Sequence, residues 1–220
     1  MKRVRLACLA LSLLAVAGAA HAEAYIGLLG GNNGTVSAAT VSATQTQFIC
    51  FAPPCSQTVS GPVRFNREHT AGIRTGAWYD GFGVTWEYTS SGATSASGPG
   101  TAPGNSVEVN FDALSVLLMG RTPALESRYF PDSYLYAGFG ISSVYGRVSV
   151  SAPPLAPVSG TTTTTGVLFL AGGTLRFSRH AMLFAEWRGQ QLSFDYSGFN
   201  KSANIPFDVS EFVLGVAYWY

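Results

Sequence analysis

The chain is expected to form an all-β fold: an eight-stranded antiparallel up-and-down β-barrel that crosses a membrane. Three features of the 220 residues lead there. Stretches with a two-residue period recur along the chain. Their connections alternate between long and short. Behind each apolar row lies a row of glycines, hydroxyls and charges.

The N-terminus comes first. Lys2, Arg3 and Arg5 precede an apolar run from Leu6 to Gly18, and Ala20-His21-Ala22 is a small-x-small site. This reads as a secretory signal peptide over residues 1–22, cleaved after Ala22. The apolar run is shorter than the roughly 20 residues of a spanning helix. Cys8 precedes most of that run, whereas a lipid-modified cysteine would follow it. The barrel then occupies residues 23–220, a length of one domain. Losing the three basic residues takes the net charge from +1 to about −2. Lys201 is then the one lysine left, which argues against a nucleic-acid partner, since that needs a basic face. No cofactor is expected.

Cys50 and Cys55, in CFAPPC, are an even pair in an exported chain and read as a disulfide. A loop this short constrains the unfolded chain by only about 2 kcal/mol, so the bond would pinch a loop tip. A metal site there would need a third and fourth ligand, and none is close in sequence. No apolar run of spanning length follows residue 22. Only helices and closed barrels satisfy every backbone group in lipid, so a membrane form must be a barrel.

The alternating stretches are roughly 24–31, 67–79, 82–90, 107–120, 133–150, 164–177, 181–196 and 207–220. Long connections at about 32–66, 91–106, 151–163 and 197–206 are rich in Ser, Thr, Gly, Asn and Pro. Short ones fall at 80–81, around 121–132 and at 178–180. Long loops at one end and short turns at the other fit an outer-membrane barrel. A soluble sandwich would share the regular strands and turns. The two differ in which face is apolar.

Tyr79-Asp80-Gly81-Phe82 decides the register of one hairpin. Asp-Gly between alternating stretches signals a two-residue type I′ turn, with positive φ at both central positions. Tyr79 then opposes Phe82, Ala77 opposes Val84, Thr75 opposes Trp86 and Ile73 opposes Tyr88, which makes one face almost wholly apolar. The other face pairs Trp78 with Gly83, Gly76 with Thr85 and Arg74 with Glu87. Opposite charges across a strand pair stabilise it. A three-residue turn at Ser178-Arg179-His180 sets Glu186 opposite Gly172 and Arg188 opposite Leu170. Arg176 and Glu211 extend the charged side. The fifth stretch divides likewise, with Leu135, Ala137, Phe139 and Ile141 against Gly138, Gly140 and Ser142. A sandwich would turn its charges to bulk water and would not gather glycines beside them. In a membrane barrel the apolar row meets lipid, the inner charges pair, and the glycines leave them room. The fourth stretch is less regular: Glu108, Asn110 and Asp112 share a row with Leu114, Val116 and Leu118, which a bulge would resolve.

The last stretch, EFVLGVAYWY, alternates Phe212, Leu214, Val216, Tyr218 and Tyr220 on one row. With Gly215 in the glycine position and an aromatic end, it resembles the small eight-stranded outer-membrane barrels of the OmpA/OmpX type. The resemblance covers essentially all of residues 23–220. It implies that Phe212, Leu214, Gly215, Val216, Tyr218 and Tyr220 form an assembly signal read by the barrel assembly machinery. The usual last residue is Phe, and Tyr220 departs from that. It also implies a bacterial outer-membrane location, outer-membrane lipid around the wall, and both termini in the periplasm. The family's peptidoglycan-binding domain has no counterpart in this sequence.

Little here suggests catalysis. His69 is expected near the outer rim and His180 in a short periplasmic turn, so they cannot share a site. Lipid A deacylases, barrels of similar size, carry a His-x-Ser pair; here His69 is followed by Thr70-Ala71 and His180 by Ala181-Met182. Gly140-Ile141-Ser142-Ser143-Val144 lacks the last glycine of a nucleophile elbow. No phosphate loop or metal-ligand cluster appears. An eight-stranded barrel is just wide enough inside for side chains to fill it. Arg74, Glu87, Arg176, Glu186, Arg188 and Glu211 are therefore expected to form a packed ionic core, with a narrow or gated pore as the alternative. The connection at 32–66, uncharged in TVSAATVSATQTQ, is where an extracellular ligand would bind. The reading is a non-enzymatic outer-membrane barrel serving membrane integrity or surface interaction; the alternatives are a small pore and an outer-leaflet lipid-modifying enzyme.

Overall fold

The computed structural model describes residues 23–31, 35–46, 56–97, 106–125, 132–152, 155–198 and 201–220. The expected signal peptide and the Cys50–Cys55 pair lie outside these residues. Among them nine strands run in sequence: β1 (Glu23–Gly31), β2 (Thr35–Thr46), β3 (Ser56–Tyr79), β4 (Phe82–Ser97), β5 (Ser106–Arg121), β6 (Leu135–Ala152), β7 (Leu155–Arg176), β8 (Ala181–Gly198) and β9 (Lys201–Trp219). All pairs are antiparallel, and the sheet closes on itself. β1 and β2 occupy one position in the wall, since both lie between β3 and β9. The result is a closed barrel of eight strand positions. Closure leaves no free edge, which lipid requires.

Side chains alternate strictly between lumen and outer wall. On β3 Gly76 and Trp78 turn inward while Ile73 and Tyr79 turn outward. The outer wall carries a continuous apolar belt: Ile26, Leu28, Ile73, Phe139, Ile141 and Leu214 are all exposed, Phe139 at 58%. A water-soluble barrel would not display such a surface. Phe212, Leu214, Val216, Tyr218 and Tyr220 share this outer face, and Gly215 points inward. The Tyr220 N–H donates to the Ala24 carbonyl, next to the rungs that join β9 to β1.

The hairpin register across 80–81 is as the sequence predicts, from Tyr79 opposite Phe82 to Ile73 opposite Tyr88. The turn differs in one respect. Asp80 adopts φ 55°, but Gly81 does not enter the left-handed range, so the turn lacks the two positive-φ positions of a type I′ geometry. The β7–β8 register also agrees, with Glu186 opposite Gly172 and Arg188 opposite Leu170.

Two expectations change. Most residues of the expected long loops are strand. β2 and β3 pair out to Thr46 opposite Ser56, and β8 and β9 pair out to Gly198 opposite Lys201. Beyond the belt the outer face no longer meets lipid and turns polar, as at Glu108 and Asn110, so the apolar outer row that marks a strand is lost while pairing continues. Thr and Val in these segments suit extended backbone. The second change concerns β5. Its pairing with β4 and β6 is continuous, so no bulge separates its polar and apolar halves. Glu108, Asn110 and Asp112 face outward like Leu114, Val116 and Leu118. They lie nearer the long-hairpin end, past the belt, where Asp112 accepts a hydrogen bond from Tyr88 Oη at 3.1 Å.

Candidate functional site: the lumen

At the short-turn end, the rim is held by two arginines. Arg121 pairs with Glu23 at 2.6 Å, donates to the Asp80 carbonyl, and lies over the rings of Trp78 and Tyr134. Arg176 points into this rim rather than into the middle of the lumen. It lies 3.8 Å from Asp132, donates to the Arg179 carbonyl at 2.6 Å, and covers the Trp219 ring. Above the rim lies an aromatic and thioether layer. Tyr25 stacks on Trp219, whose indole N–H donates to the Met182 sulfur at 2.8 Å. Trp78, Tyr134 and Tyr136 meet edge to face.

The next layer is ionic. Arg74 from β3, Glu87 from β4, and Glu186 and Arg188 from β8 converge there, each no more than 3% exposed. The Arg74 guanidinium reaches Glu87 Oε2 at 2.7 Å and Glu186 Oε1 at 2.6 Å. Arg188 reaches Glu87 Oε1 at 2.6 Å and also bonds Glu186. Each cation therefore serves both anions and each anion both cations. Tyr136 Oη adds a hydrogen bond to Glu186 Oε2 at 2.8 Å, and the Arg74 guanidinium rests 4.9 Å above the Phe184 ring. Charge-assisted hydrogen bonds of this kind are roughly twice as strong as neutral ones. They offset the desolvation of four ions, which would otherwise cost several kcal/mol each.

The local sequence makes room for this layer. Gly172 faces Glu186 across the β7–β8 ladder; a Cβ there would lie 2.7 Å from the Glu186 Cβ and press on the Ala185 carbonyl. Nearer the long-hairpin end, Glu211 is buried and accepts from Thr70 Oγ1 at 2.9 Å. Ser142 Oγ accepts from Gln190 and pairs with Ser115. Beyond these the lumen turns apolar, with Phe111 stacked on Phe194 at 5.4 Å and Leu192 and Val209 buried nearby. Two small lumen cavities measure about 20 Å³, beside Glu87 and Arg188, and about 10 Å³, beside Arg74 and Tyr136, while a wider one of about 530 Å³ opens at the short-turn rim between Arg121 and Arg176. Each of the two small ones has room for about one water.

Sequence reasoning pairs Arg74 with Glu87 but misses the cross-lumen partners. Arg74 to Glu186 joins β3 to β8, which are not neighbours in the wall, and Tyr136 belongs to neither hairpin. The two histidines are far apart: His69 is exposed on the outer wall beside Gly92, while His180, in the β7–β8 turn, stacks on Tyr218. Among the described residues no cluster of His, Cys, Asp or Glu is placed to hold a metal.

A closed eight-position barrel with an apolar outer belt and a filled polar lumen defines an integral outer-membrane protein. The chain belongs to the outer membrane protein beta-barrel domain family, whose profile matches residues 6–219. No curated protein sequence matches it. Among solved structures, it is similar to the outer membrane protein OprG from Pseudomonas aeruginosa, at 13% identity, 90% of this chain, 96% of that one and a TM-score of 0.51. Neisserial surface protein A gives 14% identity, 89% and 96% coverage and 0.49. The outer membrane protease OmpT from Escherichia coli gives 9% identity, 90% and 97% coverage and 0.49. At such identities the likeness to OprG speaks for the fold alone.

Proposed function

We propose that this protein is a sealed, non-enzymatic barrel that contributes to outer-membrane integrity and presents its extended hairpins for surface interaction. The observation that carries this reading is the filled lumen: a neutral ionic layer between an aromatic layer and an apolar layer. The short turns and both termini lie in the periplasm, and the β2–β3, β4–β5, β6–β7 and β8–β9 hairpins project outside. A partner engages the β2–β3 hairpin, which carries the uncharged Thr/Ser/Gln-rich segment. During biogenesis the assembly machinery reads the outward aromatic row of β9. Single-channel recording of the purified protein in a planar bilayer tests the seal. No steady conductance is expected; steady conductance without denaturant would favour a pore instead.

A further inference from the structure

A groove of about 750 Å³ lies on the lipid-facing wall, toward the short-turn end. Gly120 and Ala137, paired across β5 and β6, form its floor. Phe82, Trp86, Phe139 and Phe169 stand around them. A Cβ built on Gly120 meets nothing within 4 Å, so the depression is open space beside the strand. From Phe82 to Trp86 it runs four residues along β4, about 14 Å. No charged side chain lines it.

We infer that this groove holds one acyl chain of a phospholipid. The groove is continuous with the belt that places this family in lipid, so its surroundings are hydrocarbon rather than water. Here Gly120 and Ala137 offer a hydrogen and a methyl group beside Phe82 on β4 and below Leu118 and Phe139 on their own strands. A chain seated between rings gains contact on three sides, whereas a chain on a flat wall gains it on one. Tyr79 at the turn end is exposed and lines the same groove. The assignment to a phospholipid, the lipid of the periplasmic leaflet, rests on the orientation proposed above.

Native mass spectrometry of the barrel extracted in mild detergent tests this. One phospholipid adduct per barrel is expected. Gly120→Phe fills the groove and should lower the retained fraction about tenfold, the equivalent of 1.4 kcal/mol. Ala137→Leu, a smaller filler, should act in the same direction. Leu183→Phe, on the outer wall of β8, should leave retention unchanged. Heat-modifiable gel mobility shows that each variant is folded. An absent adduct, or one indifferent to both fillers, would overturn the proposal. A dimer that Gly120→Phe dissociates would assign the groove to a second copy. Retention of lipid A in place of phospholipid would overturn the lipid assignment and the proposed orientation together, while leaving the sealed lumen untouched.

Discussion

Arg74 and Glu87 stand directly opposite each other on the β3–β4 hairpin, and their charged groups meet at 2.7 Å inside the lumen. Glu87 also holds Arg188, and Arg74 also holds Glu186. Glu87→Ala should therefore strand two desolvated guanidiniums on one carboxylate, at a cost of about 3–5 kcal/mol. Arg74→Ala with Glu87→Ala leaves Glu186 and Arg188 as a neutral pair and should recover part of that loss. Urea unfolding of the refolded barrel in lipid measures both singles and the double. Additivity within about 0.5 kcal/mol would mean that the two charges are not coupled.

Two glycines should respond oppositely to a methyl group. Gly172→Ala drives a Cβ against Glu186 and should cost about 1–3 kcal/mol by overpacking. Gly120→Ala enters open space on the outer wall and should be neutral or stabilising. The same unfolding measurement compares them. An equal cost at both sites would contradict the described packing.

The limits of the apolar belt are testable by charge insertion. Ile141 is 69% exposed within the belt, and Thr163 is exposed on β7 nearer the long-hairpin end. Ile141→Arg should destabilise the membrane-inserted barrel by about 2–4 kcal/mol, and Thr163→Arg by no more than about 1 kcal/mol. Comparable losses would move the belt toward the hairpins.

Deleting Tyr220 removes its hydrogen bond to the Ala24 carbonyl and its edge-to-face contact with Tyr218. We expect the deletion, or Tyr220→Asp, to reduce the amount of heat-modifiable protein in the outer membrane severalfold. Tyr220→Phe keeps the ring and the backbone bond and should assemble normally. Undiminished insertion of the deletion variant would exclude Tyr220 from the assembly signal.

The sequence made the barrel wall legible where lipid touches it. There the two faces differ in chemistry, so residues such as Ile73 and Tyr88 separate cleanly from Arg74 and Glu87, and a one-residue slip would turn charges such as Arg74 into lipid. Past the belt the outer face turns polar, and the Ser- and Thr-rich segment Thr35–Thr46 pairs with β3 without an apolar outer row to mark it. The ionic layer was legible only across adjacent strands, since turn length sets who faces whom. The contacts of Arg74 with Glu186 and of Arg188 with Glu87 depend on barrel closure and side-chain reach, which no local spacing encodes. The same is true of the Tyr136 hydroxyl, which reaches Glu186 from β6.

The ionic layer has a further consequence, for voltage. A unit charge moved through 100 mV exchanges about 2.3 kcal/mol with the field. Arg74, Arg188, Glu87 and Glu186 sum to zero. If they shift along the barrel axis together, they displace no net charge and the field does no work on them. A potential across the outer membrane can therefore act on this layer only by pulling its members apart, against four ion pairs at once. The four-charge layer is in this sense electrically inert.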